Sequence, residues 1–448
     1  MNMIKIKLPE YIEEAVYQIE SKGFEAFVVG GAVRDALLGM EPSDWDIATN
    51  ALPEVVKSIF SHHYDTGIKH GTVTVLVNEI PIEITTYRKE GKYTDFRRPE
   101  SVTFSGSLED DLKRRDFTIN ALAYNNTSGI VDISSGIDDL KHGIIRCIGD
   151  PAERLSEDAL RMLRAVRLSL LLDFKIEDQT YDAICSFANL LNKISAERIC
   201  EELTKIIMSD KGVELLFETG ISDVILPEVS KCFGIWQNNL KHIYDVGNHT
   251  LEVLYNTPKT PLLRYCALLH DVGKVKAKIT DRWGVTHFPN HASASATIAR
   301  SILTRLKMSN KHKDIIVNLI KMHSVRIKPN ALSVRKIASK LGIDRFYDLL
   351  TLKRANIMAQ NPKYAEERLE ELDAVEEIFK EIIKSNCPLS IKDLAVDGND
   401  MKALGLAGSE IGRMLRFLLA ETIKNPRLNT PEQLVKLAKE SKNTRKKQ

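Results

Sequence analysis

Two aspartates one residue apart, Asp44 and Asp46, stand in the stretch Asp44-Trp45-Asp46-Ile47. Side chains on a strand alternate between faces, so both carboxylates would point the same way. Paired carboxylates hold divalent metal. Just upstream, the apolar run Phe27-Val28-Val29 ends at Gly30-Gly31, followed by Arg34. Glycines let a backbone turn sharply and approach a phosphate, and Arg34 supplies positive charge. An isolated Asp-x-Asp fits a solvated turn equally well, so the rest of the chain has to decide.

A second set of residues recurs every third position: Asp158, Arg161, Arg164 and Arg167 in Glu157-Asp158-Ala159-Leu160-Arg161-Met162-Leu163-Arg164-Ala165-Val166-Arg167. If the stretch is one helix, these side chains share a broad face opposite Leu160, Leu163 and Val166. A solvated amphipathic helix would also look like this. Base chemistry favours another use. Cytosine and adenine both present an amino donor beside a ring-nitrogen acceptor, whereas uracil and guanine reverse that order. A carboxylate acceptor next to a guanidinium donor would accept C and A and leave unpaired polar groups with U or G. Asp158 and Arg161 are such a pair.

Three further groups deserve roles. Arg115, in Arg114-Arg115-Asp116-Phe117-Thr118-Ile119-Asn120-Ala121, has a planar fork that matches phosphate oxygens, with an ion pair to Asp111 or Asp116 as the plainer alternative. Glu83 is a candidate third carboxylate of a two-metal site, and equally a solvent-facing residue of a hairpin. His249, His270-Asp271, His291 and His323 fall on successive expected helices. Imidazole and carboxylate together suit transition metals.

The elements that would position these residues follow from pattern. Residues 9–22 read as a helix opened by Pro9 and closed by Gly23. Val73, Val75 and Val77 alternate, Asn78-Glu79 can turn, and Ile82 and Ile84 alternate again, which predicts a strand pair. Residues 88–104 show little periodicity and read as a loop. From Pro151 onward the pattern is helical, with Ser195 expected to cap one helix, a charged helix expected over 369–385 and an amphipathic one over Glu410–Ile423. The expected fold class is α+β: a mixed-sheet head with flanking helices over 1–149, a helical neck over 150–228, a helical body over 229–370 and a helical C-terminal region over 371–448.

Composition narrows the class. The chain has 448 residues, 43% hydrophobic and 28% charged, with a net charge of +2. That length exceeds one ordinary core and implies about two to four domains. No stretch approaches the ~20 apolar residues of a membrane span, and the opening MNMIKIKLPE lacks a signal-peptide core. A cytoplasmic protein without membrane partners is expected. Six cysteines without a C-x-x-C pair argue for reduced, mostly buried thiols.

Taken together, GGAVRD with DWDIATNA, RRDFTINA, EDALRMLR and SAERICEEL resemble the class II tRNA nucleotidyltransferases, the family of CCA-adding enzymes and bacterial poly(A) polymerases. The resemblance implies a polymerase-beta-like head that adds C, C and A to the 3′ end of tRNA from CTP and ATP. Asp44 and Asp46 would be catalytic and bind two Mg2+ ions in a two-metal mechanism; Gly31, Arg34 and Arg115 would hold phosphates; Asp158 and Arg161 would choose the base, with Arg164 and Arg167 extending toward the triphosphate. The loop at 88–104 resembles the flexible loop of enzymes that add A, and SAERICEEL would support the neck. A poly(A) polymerase or an A-adding enzyme would carry the same motifs. LLHDVGK with the other histidines resembles the HD phosphohydrolase domain, which makes a metal-dependent phosphohydrolase a rival of another class. There the family's last ligand is an aspartate, and this chain has Asn356.

Overall fold

The computed structural model describes residues 5–68, 71–91, 102–104, 106–238 and 240–445. It divides into two compact units, one ending at Pro227 and the other starting at Glu228.

The first unit opens with α1 (Glu10–Glu20), β1 (Ala26–Val29), α2 (Gly31–Leu37), β2 (Asp46–Thr49) and α3 (Pro53–Ile59). Then follow β3 (His63–Gly67), β4 (Thr72–Val77), β5 (Ile80–Thr86), the short ribbon β6 (Arg88–Glu90) and β7 (Val102–Phe104), α4 (Leu108–Lys113), β8 (Leu122–Asn125), β9 (Gly129–Asp132) and α5 (Gly136–His142). Seven strands form one sheet in the order β3-β4-β5-β2-β1-β8-β9. Within this sheet, among the described residues, β2 and β5 are the one parallel pair, which sets Asp46 opposite Glu83. Every residue of β1 is buried, as expected of a four-residue apolar strand covered on both faces. The β4–β5 turn has Asn78 and Glu79 at φ 52° and 65°, the left-handed pair that a two-residue hairpin needs. One face of the sheet closes over Phe27, Val29, Ala48, Tyr87, Leu112, Ala121 and Ala123, so the RRDFTINA segment is part of the core under the site. β6 and β7 pair at the two ends of the stretch read as a loop, and its residues 92–101 lie outside the described residues.

Helices complete this unit: α6 (Pro151–Glu157), α7 (Leu160–Leu172), α8 (Asp178–Phe187) and α9 (Ala196–Ile206). Asp150 caps α6, accepting from Ala152 N at 2.7 Å, with Pro151 in the first turn. The expectation of one helix through Asp158 needs correction. The chain breaks there, with Asp158 at φ −138° and ψ 100°, and α7 starts afresh. Leu160, Met162, Leu163, Ala165, Val166 and Leu168 of α7 are buried. Ser195 sits at the N-cap of α9 without a capping side-chain hydrogen bond, so that part of the expectation is also corrected.

The second unit is helical apart from a short hairpin, Ile279–Thr280 with Thr286–His287. The charged helix is longer than its pattern suggested, Pro362–Lys384. The amphipathic one runs Ser409–Lys424 and packs Met414 and Leu418 with Met401, Leu434 and Ala438. All six cysteines are free, but only Cys147, Cys232 and Cys266 are buried. Among the described residues no helix is long and apolar enough to cross a membrane.

Candidate active site

A cleft of about 760 Å³ in the first unit is lined by Gly30, Gly31, Arg34, Asp44, Asp46, Arg115, Asp158, Arg161, Arg164 and Arg167. These head and neck residues singled out from sequence therefore meet in one place, although they come from segments far apart in the chain; Glu83 pairs with Asp46 across the strands but is not among the lining residues. Asp116, Asn120 and Arg198 join them there.

The carboxylates come first. Strand β2 begins at Asp46, so Asp44 precedes it, but Trp45 is buried while Asp44 and Asp46 face solvent. The alternation thus extends past the strand's end. Asp46 keeps a solvent-facing edge, but desolvation by the protein around it raises its carboxyl to about 6, with the neighbouring Glu83 and Asp44 adding to the rise and Arg115 opposing it. Crowded like charges of this kind favour a cation. The donors are all oxygen, which fits a hard divalent ion such as magnesium. Among the described residues, the groups of three whose ligand atoms lie within 4.8 Å of each other are in the second unit. Asp44 and Asp46 would accordingly share an ion with substrate phosphates rather than enclose it.

Gly30 and Arg115 define the opposite wall. Gly30 has φ 77°, and a Cβ there would sit 2.7 Å from Arg115 Nη1. The positive φ favours glycine, and a Cβ there would also push the Arg115 guanidinium aside. Asp111, wholly buried, accepts from Arg115 Nη2 at 3.3 Å and from Arg114 Nε at 2.9 Å. The ion pair considered for Arg115 is therefore present, and it orients the guanidinium. Burial pushes the Arg115 pKa down while Asp111 pulls it back. Its Nε is buried without a hydrogen-bond partner, an unmet donor at the wall of a cleft.

A chain of hydrogen bonds links the turn to the helices. Arg34 Nη1 donates to Asn120 Oδ1 at 2.7 Å, Asn120 Nδ2 to Asp116 Oδ1 at 3.0 Å, and Arg164 Nε to Asp116 Oδ2 at 2.7 Å. Burial alone would raise Asp116, but the Arg164 guanidinium, with help from Asn120, holds it well below the usual carboxylate range. From sequence Asp116 was considered only as an ion-pair partner of Arg115, whereas it pairs with Arg164, and Asn120 had no role; their place in the same short motif as Arg115 was the available signal.

Asp158 and Arg161 are placed differently from the single helical face expected. Asp158 occupies the break before α7, and its carboxylate accepts from Arg198 Nη2 at 2.6 Å, Arg198 Nη1 at 3.2 Å and Leu160 N at 3.1 Å. Arg161 is buried and donates to Glu157 Oε2 at 2.6 Å, to the Arg154 carbonyl at 2.8 Å and to the Arg114 carbonyl at 3.2 Å. Arg167 Nε donates to Glu202 Oε2 at 2.6 Å. Glu157, Arg198 and Glu202 thus each anchor one member of the set. Arg198 lay in a motif read as purely supportive, and nothing local in the sequence ties it to Asp158.

The histidines of the second unit also converge. His249, His270 and Asp271 form one group, and Asp271, His291 and His323 another. Asp271 Oδ1 lies 3.6 Å from Nε2 of both His291 and His323. Burial depresses His249 well below its ordinary value and His323 to about 4, so both are neutral imidazoles able to act as ligands. Lys274 Nζ, however, sits 2.7 Å from Asp271 Oδ2, and Asn356 Oδ1 lies 3.2 Å from His249 Nε2. An internal cation and a neutral amide occupy places where a metal site would concentrate negative charge.

Known proteins resemble this chain along its length. The poly(A) polymerase head domain matches residues 26–146, and domain 2 of tRNA nucleotidyltransferases matches 281–438. A CCA-adding enzyme of Ligilactobacillus salivarius is 36% identical over 445 residues, covering 98% of both chains. A CCA-adding enzyme of Enterococcus faecalis is 52% identical over 204 residues, a stretch spanning 45% of this chain and 50% of that protein. Among solved structures, the Bacillus stearothermophilus CCA-adding enzyme in complex with CTP aligns at a TM-score of 0.73 with 29% identity, over 98% of this chain and all of that one. The Thermotoga maritima CCA-adding enzyme complexed with tRNA shares the fold, at a TM-score of 0.56 and 18% identity. With relatedness running the length of the chain and the motif residues gathered in one cleft, this protein belongs to the class II tRNA nucleotidyltransferases, the family of the CCA-adding enzymes.

Proposed function

We infer that this chain is a cytoplasmic CCA-adding enzyme, which completes or repairs the tRNA 3′ end by adding C, C and A from CTP and ATP and releasing pyrophosphate. The observation that carries this reading is the meeting, in one cleft, of Asp44 and Asp46 with a row of arginines and with the Asp158 and Arg161 side chains. The 3′ oxygen of the tRNA attacks the α-phosphorus, the bond to pyrophosphate breaks, and the hydroxyl proton leaves to solvent. Asp44 and Asp46 would hold Mg2+, which when bound acidifies the attacking hydroxyl and neutralises the departing pyrophosphate.

The chain's own groups do the rest. The Gly30-Gly31 turn leaves room for a phosphate beside Arg115, a lining residue of the cleft. Arg34 and Arg115 hold the triphosphate, and Arg164 and Arg167 extend that positive wall. Asp158 accepts from the amino group of C or A, and Arg161 donates to the adjacent ring nitrogen. No nucleic-acid template enters. The head at 1–149 performs transfer, the neck at 150–228 reads the base, and the helical parts at 229–370 and 371–448 carry the tRNA by its backbone. Lys274 and Asn356 favour a scaffolding role for the histidine cluster over an HD-type hydrolase.

Kinetics of variants test this. Asp44→Ala should lose all incorporation, at least 1,000-fold on the scale of removed catalytic groups, about 4 kcal/mol. Asp158→Ala with Arg161→Ala should instead admit UTP and GTP. Intact discrimination in that double variant would overturn the base-reading role.

A further inference from the structure

We propose that Arg198 is a specificity-positioning residue, whose guanidinium fixes the Asp158 carboxylate so that a single acceptor position faces the incoming base. This rests on the base-reading role given to Asp158 above. Asp158 needs such a support. It lies in the extended break between α6 and α7, outside the regular backbone that would otherwise fix its direction. The arginines that α7 brings to the cleft are matched to other acids: Arg161 to Glu157, Arg164 to Asp116 and Arg167 to Glu202. Arg198, reaching from α9, is matched to Asp158.

Acceptor arithmetic then gives the pair a function. An ionised carboxylate offers about four lone-pair sites, two on each oxygen. Oδ1 receives Leu160 N at 3.1 Å and Arg198 Nη1 at 3.2 Å; Oδ2 receives Arg198 Nη2 at 2.6 Å. One site on Oδ2 remains. Cytosine and adenine bring one amino N–H to such a site, whereas uracil and guanine bring a carbonyl oxygen and would set acceptor against acceptor. The fork that engages both oxygens is particular to arginine; a lysine ammonium can hold the charge without fixing the plane.

The test compares kcat/KM for CTP against UTP on tRNA lacking CCA, and for ATP against GTP on tRNA ending in CC. Arg198→Ala, Arg198→Lys, Asp158→Ala and the Asp158→Ala/Arg198→Ala pair are measured beside the unaltered enzyme. Discrimination should fall about tenfold or more in Arg198→Ala, the size of one misaligned hydrogen bond. It should recover in part in Arg198→Lys, and the alanine at 198 should add nothing once Asp158 is gone. A proportional loss with CTP and UTP, leaving their ratio intact, would show a merely structural role and overturn the proposal. Asp158→Ala with unchanged ratios would defeat the base-reading role itself, whereas lost ratios in Asp158→Ala with intact ones in Arg198→Ala would defeat only the part given to Arg198. Should Arg198→Ala fail to fold by thermal melting, Arg198→Lys and Arg198→Gln supply the same ratios.

Discussion

At the scale of single residues, the cleft holds its charges in opposed electrostatic states. Asp46 is raised to about 6 and so resists ionising in the metal-free protein. A raised carboxyl costs stability as pH climbs from its ordinary value toward its folded one. Asp46→Asn should therefore abolish activity yet melt higher than the metal-free parent at pH 8, by about 1 kcal/mol after solvent screening, with no difference near pH 4. Thermal melts in chelator across pH check this. The motif residues were legible because Asp44, Arg115, Asp158 and Arg161 sit in short strings whose chemistry can be stated. Their anchors were not legible. Arg198 lies 40 positions from Asp158, and Asn120 lies 86 from Arg34; no local period records such pairings.

At the scale of elements, the turn at Gly30 and the ion pair between Asp116 and α7 position the chemistry. Gly30→Ala would strain φ 77° and drive a methyl to 2.7 Å from Arg115 Nη1. It should cost about 1–2 kcal/mol of stability and lower incorporation from CTP and ATP alike, leaving base choice intact, which competition assays would reveal. Asp116 is the depressed kind of carboxyl: its contribution is complete above the ordinary pKa of about 3.9 and is lost progressively as pH falls from there through its depressed folded value. Asp116→Asn should thus unfold more easily at pH 7, by about 2 kcal/mol, and its gap from the parent should narrow steadily as pH falls from about 4 into the strongly acidic range, as measured by denaturant titration. Strand alternation identified the β4–β5 pair from sequence, since period two is local. The parallel pairing of β2 with β5, which brings Glu83 beside Asp46, is a long-range choice that local pattern does not contain. The break at Asp158 was hidden because Ala159, Leu160 and Arg161 continue a helical pattern across it.

At the scale of the whole molecule, a net charge of +2 gives no bulk attraction to RNA, so tRNA affinity must come from local contacts to phosphates. Each such contact releases counterions, and affinity for tRNA should fall steeply and log-linearly with salt, by tenfold or more between about 50 and 200 mM for several contacts. Filter binding over that range measures it. The most direct test of the central reading uses a tRNA transcript ending before CCA, given the purified chain, Mg2+ and both CTP and ATP. Growth by three nucleotides, C then C then A, followed by arrest is the result predicted here; extension by A alone or into a long A tail, or no extension at all, would contradict it.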